Sequence, residues 1–142
     1  MLKRFGFGRK EKLKSRKQIE SLFLNGRRFV QFPIRITYQF FATAEEPIVQ
    51  VGVTAGKKYF KKAVDRNRIK RLLREAYRLQ KGELLETANQ KKMKVFIFFM
   101  YTDKTIASFH VIKEAMNKAL INLQKQLAQT NEMSHDDSES QT

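Results

Sequence analysis

Apolar side chains recur along this chain with two different periods, and each period predicts an element. Ser15-Arg16-Lys17-Gln18 has the Ser-x-x-Gln form of a capping box, in which the serine oxygen accepts from the third helical amide. Ile19, Leu22 and Phe23 follow at i, i+3 and i+4, so a short helix is expected, with Asn25-Gly26 as its left-handed stop. From Phe29 to Phe41 the period changes to two. Ile34, Ile36, Tyr38 and Phe40 fall on one face, and Arg35, Thr37 and Gln39 on the other, which predicts a strand with one face exposed. Pro33 cannot donate to a ladder, so this strand is allowed to break in two there. Thr43 to Pro47 reads as a polar turn, and Val49, Val51 and Val53 alternate again through Thr54. The two long strands are therefore expected to pair as an antiparallel hairpin.

Beyond Gly56 a basic stretch leads into a second helix, whose apolar stripe is Ile69, Leu72, Leu73 and Ala76 and whose end is set at or near Gly82. Lys94 to Tyr101 is rich in Phe, Ile and Val without alternation, as suits a strand covered on both faces at the centre of a sheet. Asp103 or Ser108 then caps a third helix with the stripe Phe109, Ile112, Met116, Ala119, Leu120, Leu123 and Leu127. The expected order is α-β-β-(β)-α-β-α, an α+β class that builds a small α/β sandwich. Most phenylalanines, including Phe40, Phe96, Phe98, Phe99 and Phe109, are expected in the core.

Length confines this to one domain, since 142 residues are too few for two independent cores. The absence of cysteine removes disulfides, thiolate nucleophiles and cysteine-ligated metals, and fits a reducing compartment. No apolar run approaches the roughly 20 residues of a membrane span, and a cytoplasmic protein without a membrane role is expected. Charge adds most to the picture. Lys and Arg number 29 against 14 Asp and Glu, a net +15, and the four acids after Gln129 face no cation there. Without that tail the balance is 29 cations to 10 acids, or +19. Three regions follow: a flexible basic arm over residues 1–14, a folded domain over 15–129, and a disordered acidic tail over 130–142.

The cations concentrate between Lys57 and Arg78, where ten stand against two acids. On a helical projection with Ile69 at zero, Asn67, Arg71, Arg74 and Arg78 cluster at about 140 to 200°, opposite the apolar stripe. Arg66, Arg68 and Lys70 wrap the flanks, and Lys57, Lys58, Lys61 and Lys62 precede the helix. A merely solvated face mixes signs. Single-sign arginine suits a phosphate backbone, because each guanidinium fork bonds two oxygens at fixed geometry. If the first helix lies across the exposed sheet face, Phe23 and Tyr38 with Arg35 and Gln39 would line a groove where unpaired bases stack. Independent catalysis has little support. His110 and His135 form no metal or triad spacing, and no phosphate loop, nucleophile elbow or carboxylate cluster occurs.

At Arg66-Asn67-Arg68-Ile69-Lys70-Arg71-Leu72-Leu73-Arg74-Glu75-Ala76-Tyr77-Arg78 the chain resembles the protein component of bacterial ribonuclease P. The likeness extends to Val51-Gly52-Val53-Thr54 running into Lys57-Lys58, to Ala63, and to the first helix with Phe23, covering about Leu13 to Leu127. The resemblance implies a protein subunit that binds a catalytic RNA and the 5′ leader of precursor tRNA, and assists endonucleolytic removal of that leader. The chemistry then belongs to the RNA, with Mg2+ held mainly by it and no catalytic or metal-ligating residue in the protein. By the same resemblance, RNA binding falls to Arg66, Asn67, Arg68, Lys70, Arg71 and Arg74, and the basic run itself adds Lys57, Lys58, Lys61, Lys62 and Arg78 to the expected RNA-binding residues. The leader cleft falls to Ile19, Phe23, Arg35 and Tyr38. The family often carries an aromatic where Ile19 stands. The resemblance also implies a left-handed crossover through the Arg-Asn-Arg helix, against the usual rule. A ribosomal or other structural RNA-binding protein is the alternative from composition alone.

Overall fold

The computed structural model describes residues 9–130. Four helices and four strands follow in the order α1 (Arg16–Asn25), β1 (Arg27–Gln31), β2 (Ile34–Ala42), β3 (Ile48–Ala55), α2 (Ala63–Gln80), α3 (Gly82–Lys91), β4 (Met93–Tyr101) and α4 (Phe109–Gln129). Ser15 caps α1, its Oγ accepting from the Gln18 amide at 3.3 Å, and Ser108 rather than Asp103 caps α4 in the same way through Val111. The break at Pro33 is real: the expected Phe29 to Phe41 strand is the β1–β2 hairpin, joined through Phe32 and Pro33.

The sheet order is β1-β2-β4-β3, with β3 parallel to β4 and the other pairs antiparallel. The expected hairpin between β2 and β3 is therefore incorrect, because β4 lies between them. The reason is burial. β4 is the most apolar strand, with Val95, Ile97 and Phe99 buried on one face and Phe96 on the other. Only an interior position covers both its faces and both its edges. The parallel β3–β4 pair in turn requires a long crossover, which α2 and α3 provide.

Helix α3 is an element the sequence pattern did not show, because Gly82 looks like a stop. Gly82 instead starts α3, whose Leu84 and Ala88 are buried at i, i+4. The chain reverses later, at Lys92, which takes the left-handed conformation with φ 56°. Gly26 is likewise no left-handed stop, since its φ is −79°. It is needed for close approach: a Cβ there would lie 2.6 Å from the Leu22 carbonyl oxygen and 2.9 Å from that of Tyr38.

Two apolar layers sandwich the sheet. Helices α2, α3 and α4 cover the face carrying Ile34, Ile36, Tyr38, Val49, Val51 and Phe99, and bury Ile69, Leu73, Leu84, Met116 and Leu123 there. Helix α1 lies on the opposite face, where Leu22 packs with Leu13 and Phe96 and is joined by Ile19 and Phe98. Leu13 belongs to the region expected as a free arm. It is buried, and its amide donates to Val51 at 3.0 Å, so Lys12 and Leu13 lie along the outer edge of β3. An apolar residue that can close the gap beside α1 gains more by burial than by remaining in water. The Glu11 carboxylate anchors the same segment by pairing at 2.6 Å with the ammonium of Lys81, whose side chain is only 2% exposed. Residues 1–8 of the arm and 131–142 of the acidic tail lie outside the described residues.

Candidate nucleic-acid interface

Cations occupy the side of α2 that the core leaves free. Ile69, Leu73, Ala76 and Tyr77 are buried, whereas Asn67, Arg68 and Arg71 are exposed and Lys70 and Arg74 half-buried. The 3.6-residue period fixes this division, since the buried positions centre at about 25° on the projection, roughly 135° from Asn67 and 175° from Arg71. Lys57, Lys58, Lys61 and Lys62 are exposed in the loop that enters α2. Phe60 divides them. Its ring is buried and lies 6.1 Å from that of Tyr101.

Not every expected cation stands free to bind. Arg78 is bidentate to Glu75, Nη2 to Oε2 at 2.6 Å and Nε to Oε1 at 3.2 Å. That hydrogen bonding, more than simple charge attraction, holds the Glu75 carboxyl below its usual range and raises Arg78. Arg66 turns its Nη1 back to two loop carbonyls, Phe60 at 2.7 Å and Lys61 at 2.8 Å.

The opposite face of the sheet, beside α1, is where the leader cleft is expected. Pairing across the strands sets its rows: Arg28, Thr37, Phe98 and Gly52 in one, and Val30, Arg35, Met100 and Thr54 in the next. Phe23 of α1 meets Phe98 edge to face, with ring centroids 5.1 Å apart. Arg28 donates to the Phe23 carbonyl at 2.8 Å, which supplies the last turn of α1 with a cation it otherwise lacks. Arg35 is exposed on this face, and Ile19 is partly buried where α1 meets the sheet.

Tyr38 does not belong to this cleft. It is 4% exposed on the other face, and its hydroxyl donates to Gln126 Oε1 of α4 at 2.8 Å. The correction follows from strand geometry, because Arg35 and Tyr38 are an odd number of residues apart and cannot share a face. Phe98 takes the place expected of Tyr38. It was hidden in an unbroken apolar run, but Gly52 marks it: a Cβ on Gly52 would lie 2.6 Å from Phe98 Cε1, so the missing side chain is the seat of that ring. Glycine within an alternating strand is the available signal of such a close approach.

A sheet with a cation-rich helix on one side and a half-buried aromatic pair, Phe23 and Phe98, on the other has the build of a polyanion-binding protein. Residues 7–124 match the family described as Ribonuclease P, and the chain belongs to that family. A ribonuclease P protein component of Porphyromonas gingivalis is 35% identical over 119 residues, which cover 84% of this chain and 87% of the relative. The corresponding protein of Chlorobaculum tepidum is 41% identical over 91 residues, 59% of each chain. Among solved structures, the RNase P protein of Staphylococcus aureus has a TM-score of 0.60 at 16% identity, covering 81% of this chain and 95% of that one. The Thermotoga maritima RNase P protein has a TM-score of 0.58 at 21% identity, covering 82% and 96%. These two show the common fold. Family membership implies a role in an endoribonuclease complex and an RNA partner. No helix among the described residues is long and apolar enough to cross a membrane, and no three His, Cys, Asp or Glu side chains there gather as a metal-holding group.

Proposed function

We propose that the protein binds the catalytic RNA of ribonuclease P through α2 and the loop before it, and receives the 5′ leader of precursor tRNA in the cleft beside α1. Asn67, Arg68, Lys70, Arg71 and Arg74 meet the RNA, with Lys57, Lys58, Lys61 and Lys62 extending the surface and Arg78 entering at the cost of its Glu75 pair. Ile19, Phe23, Arg35 and Phe98 hold the leader, the rings by stacking and the guanidinium by phosphate contact. The supporting observation is the placement of these two surfaces on opposite sides of one four-stranded sheet. Two polyanions repel when brought together, and a strongly cationic body between them removes that repulsion by releasing their counterions. Phosphodiester cleavage itself falls to the RNA with Mg2+ held there, in the cytoplasm. The protein's share is to bind, orient and neutralise.

The test is removal of the 5′ leader from labelled precursor tRNA at low magnesium, with a bacterial ribonuclease P RNA, with and without this protein. Cleavage at the mature 5′ end that needs both is expected. Arg71→Ala should weaken assembly with the RNA, and Phe23→Ala should weaken precursor binding with assembly intact. Unaltered cleavage on adding the protein, or equal loss of both functions in both variants, would refute the reading.

A further inference from the structure

Arg66 opens the Arg66-Asn67-Arg68 triplet, yet its side chain faces the protein's own backbone. One nitrogen, Nη1, donates to the carbonyls of Phe60 at 2.7 Å and Lys61 at 2.8 Å. These carbonyls belong to the loop that carries Lys57, Lys58, Lys61 and Lys62. We propose that Arg66 is a positioning residue, which fixes this lysine loop in the shape that meets RNA instead of meeting RNA itself. The proposal rests on the RNA-binding reading of the loop.

The loop needs such a brace. Lys62 stands at the N-cap of α2 and offers no side-chain acceptor to the first-turn amides. Its ammonium and that of Lys61 also sit at the positive end of the helix dipole, which disfavours them there. The loop is therefore held from two other sides. Phe60 sinks its ring into the core against Tyr101, and Arg66 ties the carbonyls of the two successive peptides on either side of the Lys61 Cα to the first turn of α2. Lys57 and Lys58 precede this anchor, Lys61 is part of it, and Lys62 follows it. A loop held before RNA arrives does not lose that freedom on binding, so the clamp acts on affinity without touching a phosphate. Lysine at position 66 would keep the charge, but its shorter stem and compact ammonium do not reproduce a guanidinium reaching two successive carbonyls.

The experiment uses the full chain in two assays. Amide hydrogen exchange of the RNA-free protein should show residues 57–62 exchanging about fivefold or more faster in both Arg66→Lys and Arg66→Gln, with residues 34–42 unchanged. Binding to a bacterial ribonuclease P RNA across a salt series should fall by about tenfold in both variants at nearly the native salt slope, whereas Arg68→Gln should lower that slope by about one. If Arg66→Lys binds as the native protein does, while Arg66→Gln loses a unit of slope and loop exchange stays native, Arg66 is a phosphate contact and the proposal fails. Faster exchange throughout the sheet overturns it as well, by making Arg66 a general fold residue. The premise fails separately if loop exchange responds to Arg66 but RNA affinity ignores neutralisation of Lys61 and Lys62.

Discussion

Replacing Glu11 by alanine should unfold this protein more readily than any exposed charge deletion, although Glu11 lies far in sequence from the helical layer. Its partner Lys81 keeps a side chain 2% exposed, and the pair closes at 2.6 Å, with Glu11 itself 23% exposed. At that separation and an effective dielectric near 20 the gross attraction is on the order of 6 kcal/mol. Water reaching the glutamate side and the desolvation of both ions reduce it. Removing the carboxylate takes the 2.6 Å ion pair from a buried ammonium, for which losses of about 3 to 5 kcal/mol are usual, and the partial exposure of Glu11 with the Tyr77 ring 5.9 Å from the ammonium sets the expectation at about 3. In a domain of this size that corresponds to a fall in Tm of roughly 10 °C. Urea unfolding followed by circular dichroism measures it. Lys81→Met should cost less, about 1 kcal/mol, because the glutamate it leaves can turn to solvent, and the double variant should recover much of the Glu11→Ala loss. A Glu11→Ala cost below about 1 kcal/mol, the value of an exposed ion pair, would refute the reasoning.

Tyr38→Phe should cost about 1 kcal/mol through the lost bond to Gln126 and leave precursor binding native, as a pair of urea and binding titrations would show. Lys92→Gly should raise stability by about 1 kcal/mol in the same unfolding assay, since glycine accepts φ 56° without the Cβ penalty. Gly52→Ala should push the Phe98 ring from its seat, costing about 1 to 3 kcal/mol and weakening precursor binding more than RNA assembly. Alkaline pH should destabilise the fold in a set direction. Burial raises Tyr77, with the Glu11 charge adding to it, and burial also raises Tyr101 against an opposing hydrogen bond from the Ala107 amide. A phenol raised on folding contributes stability that is complete below the ordinary value near about 10 and is lost as pH rises through the folded value. Unfolding midpoints should therefore drop above about pH 10, and Tyr77→Phe should flatten that drop.

Helical periodicity made the arginine side of α2 legible, because the buried positions of an amphipathic helix fix where every other side chain points. Strand pairing was not legible in the same way. Alternation tells which residues of β2 and β3 share a face, but both edges of a strand carry the same backbone groups, so it does not name the neighbour. The apolar density of β4 was the better guide, and its interior place excludes the β2–β3 hairpin. Tyr38 shows the opposite case, since the parity that separates it from Arg35 was present in the sequence. Phe98 and Arg66 were harder. An unalternating strand does not reveal which ring stays half-open, and a cation whose partners are main-chain oxygens looks like any other cation until the loop is folded.

The strand order also bears on the making of the protein. β2 can pair with β1 at once, but β3 pairs only with β4, the last strand among the described residues, so β3 has no ladder partner until Tyr101 has been synthesised. On the ribosome the cationic helix is thus finished well before the surface that orients it exists. The nascent chain carries the charges of α2 without their fixed arrangement, and the complete sheet and the docked helix wait on one late segment. A chain broken off before residue 93 would carry most of the cations of the mature domain and none of their geometry.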